Sequence, residues 1–125
     1  MSRSKVQVPG YKEKREELRA KGISDVIVYC VNDAAVMGAW AKDQKIAGSI
    51  VSFAADTSGA LTKALDAVLD APGPMRDLGN PRCKRFAIYV DNGVVKHVGL
   101  SETPDDPTGD SDISASSAEG MLKAI

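Results

Sequence analysis

Apolar residues form an almost unbroken run over Asp25–Val31, and the rest of the pattern is organised around that run. Its residues are mostly β-branched, which is typical of a strand buried on both faces, as in a parallel sheet, rather than of a half-exposed strand. Asn32 or Asp33 then supplies a helix N-cap, and apolar residues recur at helical spacing through Ala34–Ile46. The stretch therefore predicts a buried strand that runs directly into a capped helix.

Periodicity and turn residues predict the remaining elements. In chain order they are a helix over Tyr11–Lys21 entered at Pro9 and ended at Gly22, a strand over Ser49–Ala54, a helix over Ala60–Leu69, a loop over Asp70–Arg82, strands over Lys84–Val90 and Val94–Leu100, an acidic loop over Ser101–Asp112 and a helix over Ser117–Ile125.

Two short motifs refine this outline. Asn92-Gly93 predicts a type I′ hairpin turn, because both central positions of that turn need a positive φ. Ser116 to Glu119 reads S-x-x-E, which predicts a capping box at the last helix. Strand–helix alternation closed by an antiparallel hairpin and a helix is the layout of a thioredoxin-like α/β domain, and 1–125 is expected to form a single domain.

Composition excludes several classes of protein. The net charge of −1 gives no basic footprint for nucleic acid, and no apolar run approaches the ~20 residues of a membrane span. The basic first fifteen residues fit a helix entry better than the remnant of a transit peptide. Two cysteines are not a disulfide framework, and with the single His97 they make no zinc site. We expect a reducing intracellular compartment, no metal and no cofactor.

Cys30-Val31-Asn32-Asp33, followed by Val36 and Trp40, resembles the VND…V…W signature of the five-like (type II) peroxiredoxins. Further segments agree with that family in the same order along most of the chain. They are Phe53–Asp56 with Gly59 and Thr62–Leu65, Gly79-Asn80 with Arg82–Phe86, Asp91–Lys96, and Ser116–Glu119 with Met121-Leu122. The resemblance implies a thioredoxin-like fold of the peroxiredoxin kind.

The resemblance also implies an activity that depends on sulfur. In that family a cysteine thiolate of lowered pKa reduces a hydroperoxide, becomes a sulfenic acid and is then reduced by a thiol partner. The family carries this cysteine in a PxxxTxxC turn followed by a histidine and by PG[FY]. Alignment without a gap places Arg3 at the cysteine position, Gln7 at the histidine position and Arg85 at the active-site arginine. Arginine is neither nucleophilic nor oxidisable, so Arg3 cannot replace the cysteine. Because no thiolate is then present for Arg85 to bind, we expect Arg85 to be a vestige or a structural ion-pair partner.

The two cysteines remain candidate redox residues. Cys30 lies near the end of the predicted buried strand, where a cysteine usually packs as a small hydrophobe. It also lies two residues, hence on the same strand face, from Val28, the position of a resolving cysteine in some family members. Cys83 precedes two cations that would activate an exposed thiol, but the family's usual residue there is apolar. Packing is favoured for both, and His97 is expected on the surface or rim of its strand.

The family's central strand and two earlier strands have no counterpart in these residues. We therefore expect a truncated thioredoxin-like fold whose exposed ladder edges need cover. Either the sequence is a fragment, or its strands pair with another chain, or a larger assembly covers the gap. The first hypothesis is a catalytically silent structural or interaction subunit, bound to a protein partner or to a second copy. The alternatives are a thiol peroxidase acting on hydrogen peroxide and alkyl hydroperoxides, if the sequence is incomplete or Cys30 or Cys83 has taken over, and a thiol redox sensor. The compartment is expected to be the cytoplasm, a mitochondrion or a plastid.

Overall fold

A computed structural model of the chain describes residues 6–109 and 111–125. Its elements, in order, are α1 (Val8–Glu13), α2 (Arg15–Ala20), β1 (Val26–Cys30), α3 (Ala34–Gln44), β2 (Val51–Ala55), α4 (Ala60–Ala64), β3 (Val68–Leu69), α5 (Pro72–Leu78), β4 (Arg82–Cys83), β5 (Phe86–Asp91), β6 (Val94–Leu100), a 3-10 turn (Ser114–Ser116) and α6 (Ala118–Ala124).

The predicted strand-to-helix unit is confirmed. Strand β1 pairs in parallel with β2, and Asp33 caps α3 by accepting a hydrogen bond from the Val36 backbone N–H at 2.8 Å. The helix ends before the predicted Ile46, because Lys45 adopts the left-handed conformation. Burial of the strand on both faces is wrong for Ile27, whose side chain is 66% exposed.

The first predicted helix begins earlier than expected and is broken in two. It starts at Val8, with Pro9 in the first turn, where a missing N–H costs nothing. Lys14, at φ −88° and ψ 17°, leaves helical geometry and separates α1 from α2. Val8 and Leu18 from these helices pack into the core with Ile50, Val51 and their neighbours.

The prediction for residues 60–82 is wrong in its middle. The helix expected over Ala60–Leu69 ends at Ala64, and Asp66 takes a φ of 52° that a helix cannot continue. The apolar residues that suggested helical spacing serve a short antiparallel pairing of β3 with β4 instead. The expected loop after it contains α5, which begins at Pro72 in a first-turn position and contributes no buried residue.

The hairpin of β5 and β6 is confirmed, with Asn92 at φ 53° and Gly93 at φ 79° in its turn. A bulge follows Tyr89, so the register changes there. Among the described residues, the strands form three separate two-stranded sheets, β1–β2, β3–β4 and β5–β6. An edge-on ring contact between Tyr29 and Phe86, with centroids 6.0 Å apart, links the first sheet to the third.

The last helix has a different cap from the one predicted. Ser117 is the N-cap residue and accepts a hydrogen bond from the Gly120 N–H at 3.1 Å. The predicted capping box is therefore out of register by one residue, and Glu119 forms an exposed ion pair with Lys123 at 3.2 Å instead. In the described part of the chain, no helix is both long enough and apolar enough to span a membrane.

Candidate functional site

A buried arginine forms the centre of the candidate site. Arg85 lies between β4 and β5 and is only 9% exposed. Its Nη1 donates a hydrogen bond to Oε1 of Gln7, with 2.6 Å between the two atoms. Gln7, just before α1, is itself 8% exposed. Two of the positions singled out in the sequence, 78 residues apart, are thus in direct contact inside the protein.

Gln7 extends this contact into a hydrogen-bond network. Its Nε2 donates to Oγ of Ser116 at 2.8 Å, and that oxygen lies 2.7 Å from Oγ of Ser101. The hydroxyl of Tyr11 donates to the carbonyl oxygen of Ser116, also at 2.8 Å. Burial of Tyr11 raises the pKa of its hydroxyl, so this group stays a donor. The network ties α1 to the 3-10 turn and to the end of β6.

The backbone packs closely around Arg85. The Ser101 N–H donates to the Arg85 carbonyl oxygen at 3.0 Å, which continues the β5–β6 pairing beyond the strands. Gly109 lies so near that a Cβ there would stand 3.1 Å from Cβ of Arg85, and its φ is +70°. Such an environment fixes the guanidinium and presents a cation among neutral donors and acceptors, an arrangement suited to holding an anion or an amide oxygen.

The cysteines are buried in two different strands. Cys30 ends β1 at 7% exposure and Cys83 ends β4 at 8%, and both are thiols rather than half-cystines. The preference for packing over reactivity agrees with this burial. Arg3 lies outside the described residues. His97 is half-buried in β6 opposite Tyr89.

Comparison with known proteins covers the segments that form the site. The model of the family described as Redoxin matches residues 5–117, a range that contains both Gln7 and Arg85. The chain belongs to the redoxin family, among the five-like peroxiredoxins. Its fold is accordingly the thioredoxin-like fold of the peroxiredoxins.

Relatives of this redoxin include named peroxiredoxins. It is 40% identical over 120 residues to peroxisomal membrane associated protein 20 of Schizosaccharomyces pombe, covering 95% of this chain and 71% of that protein. It is also 40% identical over 122 residues to chloroplastic peroxiredoxin-2E of Arabidopsis thaliana, covering 98% of this chain and 48% of that one. The chain thus spans about half the length of the chloroplastic relative.

A solved structure extends the similarity to three dimensions. Reduced Prx3 of Vibrio vulnificus, in complex with hydrogen peroxide, superposes with a TM-score of 0.82 at 33% identity, over 100% of this chain and 73% of that one. The arginine region and the elements around it are therefore part of a fold shared with peroxiredoxins.

Sequence reasoning missed Tyr11, Ser101 and Ser116 as members of the network. The sequence pattern places Tyr11 in a helix, Ser101 in a loop and Ser116 in a capping box, and the contacts of Gln7 and Tyr11 with Ser116 join residues about a hundred positions apart. No local spacing signals such contacts. In the described residues, no group of three or more histidine, cysteine, aspartate or glutamate side chains is placed to hold a metal ion.

Proposed function

We propose that this redoxin domain is a catalytically silent member of its family that acts by binding, as a structural or interaction subunit. The observation that carries the proposal is the 2.6 Å hydrogen bond between Arg85 Nη1 and Gln7 Oε1. The family resemblance assigns this arginine to a cysteine thiolate and to peroxide. Here a neutral amide receives its hydrogen bond, and alignment puts Arg3 at the cysteine position.

Burial of the two cysteines supports catalytic silence. A peroxide-reactive thiol must be deprotonated and accessible to its substrate. Cys30 and Cys83 are 7% and 8% exposed, at the ends of strands whose neighbours pack around them. Attack of either sulfur on a hydroperoxide would require local opening of a sheet.

Exposed apolar surface supports the binding role. Register places Val90, Val95, Val98 and Leu100 on one face of the β5–β6 hairpin, and they are 52%, 50%, 53% and 46% exposed. Ile27 of β1 is 66% exposed. Contiguous apolar patches of this kind mark interaction surfaces, and the separate sheets β1–β2 and β5–β6 leave strand edges that another segment can extend. A protein partner or a second copy would cover this surface.

The rival function is a thiol peroxidase that reduces hydrogen peroxide or alkyl hydroperoxides. Its support is the retained Arg85, fixed and buried as a thiolate-binding cation must be, together with relatives that are named peroxiredoxins. This function needs a reactive cysteine supplied by additional chain, or the takeover of that role by Cys30 or Cys83. A redox sensor would need the same reactive thiols without turnover.

Intact mass after equimolar hydrogen peroxide tests the proposal. We expect no mass increase in the 125-residue chain and no peroxide consumption with a thiol reductant, whereas oxidation by one oxygen (~16 Da) or a disulfide would overturn silence. A mass gain that disappears in the double variant Cys30→Ser/Cys83→Ser belongs to the two thiols, and a gain that remains belongs to methionine oxidation. Light scattering after size exclusion tests the binding role separately. A dimer, or a complex with a co-purifying chain, supports it, and a stable monomer that binds nothing counts against it.

A further inference from the structure

A cavity of about 170 Å³ lies apart from the Arg85 network. It is bounded by the end of β1, the turn after β2, the helix α4 and the approach to β4. The residues that shape its chemistry are Val31, Thr57, Ser58, Lys63, Asn80 and Arg82. At about 30 Å³ per water, the volume corresponds to about five or six waters, so it is large enough for one small polyatomic ligand.

Arg82 is held rigidly at the cavity. Its Nη1 donates to the Val31 carbonyl oxygen at 2.7 Å and to Oδ1 of Asn32 at 2.6 Å. The Nε of the same guanidinium is buried and has no hydrogen-bond acceptor among the described residues. Nε has almost no accessible surface, so a ligand in the cavity would not contact it, and Arg82 acts on the cavity through its positive charge.

The charge of the lining indicates which kind of ligand the cavity suits. Lys63 and Arg82 are cations, and none of the described residues that line the cavity carries a carboxylate. The nearest acidic group in sequence, Asp56, is already engaged, with its carboxylate accepting from the Thr62 N–H and hydroxyl at 2.9 and 2.7 Å. Two positive charges in a partly enclosed space, with no acidic side chain among its described lining residues, favour an anion over a neutral ligand.

Neutral donors complete the lining. Thr57 and Ser58 bring hydroxyl groups, and Asn80 brings an amide. A guanidinium, an ammonium and hydroxyls are the groups that recognise tetrahedral oxyanions, whose oxygens accept several hydrogen bonds at once.

We propose that this cavity is a binding site for a small tetrahedral oxyanion of the phosphate or sulfate type, held by Arg82 and Lys63. The site is separate from Arg85 and does not depend on whether the domain is silent or a peroxidase. The same chemistry serves free phosphate and the phosphate group of an ester, and we assign the site to the free anion.

Thermal unfolding and calorimetric titration of the full chain with inorganic phosphate test the site, with sodium chloride at equal ionic strength as the reference. Phosphate well above its dissociation constant is expected to raise Tm by several degrees, about 3 °C or more. Lys63→Gln should weaken phosphate binding about threefold, as expected for one solvent-exposed cation. Lys42→Gln, the same charge change on the exposed face of α3, should leave phosphate binding unchanged.

Arg82→Gln removes the positive charge and the hydrogen bonds to Val31 and Asn32, and it should abolish measurable phosphate binding. Circular dichroism establishes whether that variant is folded. If it is not, the difference in phosphate binding between Lys63→Gln and Lys42→Gln decides the test. A phosphate effect equal to that of sodium chloride, or equal losses in the two lysine variants, would overturn the proposal. Titration with glycerol 3-phosphate distinguishes free phosphate from a phosphate ester as the natural ligand. Tighter binding of the ester than of phosphate would contradict the assignment to the free anion.

Discussion

Arg85 donates to Gln7 across 2.6 Å, and both side chains are more than nine-tenths buried. The contact joins the segment before α1 to the entry of β5. An amide suits this position because it accepts from the guanidinium through one atom and donates to Ser116 through the other. The oxygen and nitrogen of Gln7 are therefore both used, and the orientation of its amide is fixed by its neighbours.

Replacement of Gln7 by alanine should destabilise the fold by about 2 kcal/mol, because it leaves buried donors and acceptors of Arg85 and Ser116 without this partner. Urea unfolding followed by circular dichroism measures the change. Gln7→Glu should lose less stability at neutral pH, since a carboxylate accepts from Arg85 in a charge-assisted bond. Equal stability of Gln7→Ala and the unmodified chain would show that the network adds nothing to the fold.

Substitution of Tyr11 is a second test of the hydrogen-bond network around Gln7. Tyr11→Phe removes the 2.8 Å bond to the Ser116 carbonyl and should cost about 1 kcal/mol at pH 7. Burial raises the pKa of Tyr11 above its ordinary value of 10.0, so its contribution is complete below pH 10.0 and is lost as pH rises further.

Urea unfolding at pH 8 and pH 10.5 checks the pH dependence. The unmodified chain should lose more stability between these two values than Tyr11→Phe does. Tyr89→Phe, in β5, serves as the matched substitution for comparison. If Tyr11→Phe and the unmodified chain lose the same stability, the hydroxyl is not buried in solution.

Prediction from sequence worked where the signals were local. The strand before Asn32, the cap at Asp33 and the turn at Asn92-Gly93 all depend on residues within a few positions of each other. It failed over Ala60–Leu69, where apolar spacing fits a helix but Asp66 turns the chain into the left-handed region. The spacing of residues along the chain does not predict the Gln7–Arg85 contact, although alignment with the family marks both positions.

Acid should weaken the hydrogen bonds that the Asp56 carboxylate accepts from the first turn of α4. Burial alone would raise the pKa of Asp56, but hydrogen bonds from the Thr62 hydroxyl and from the backbone N–H groups of Thr62 and Leu61 outweigh it and lower that pKa below its ordinary value of 3.8. The stabilisation is therefore present above pH 3.8 and is lost as pH falls below it.

Asp56→Asn should lower Tm at pH 7, and its deficit should shrink as the pH approaches 3. Differential scanning calorimetry at both pH values measures this. Asp70→Asn, at an exposed position, is the control and should not change Tm at either pH. A deficit of Asp56→Asn that stays constant with pH would mean that the charge of the carboxylate does not matter.

Thiol accessibility should follow the burial of the cysteines. In the native protein at pH 8, an aromatic disulfide reagent should react with Cys30 and Cys83 only over the slow timescale of local opening, because both are under one-tenth exposed. In urea both thiols should react at once. Absorbance of the released thiolate measures the rates, and single serine variants assign them. Fast labelling of either cysteine in the native state would favour the sensor or peroxidase function.

Two glycine substitutions separate backbone strain in a turn from helix propensity. Gly93→Ala should destabilise the hairpin by about 1 kcal/mol, since Gly93 has a φ of 79° that alanine reaches only with strain, while an added Cβ meets no atom within 4 Å. Gly38→Ala, inside α3, also meets no atom within 4 Å but has no positive φ, so the same added methyl should stabilise the helix by about 0.5 to 1 kcal/mol. Urea unfolding of both variants shows whether each substitution raises or lowers the free energy of unfolding. Destabilisation by both would contradict the open space around Gly38.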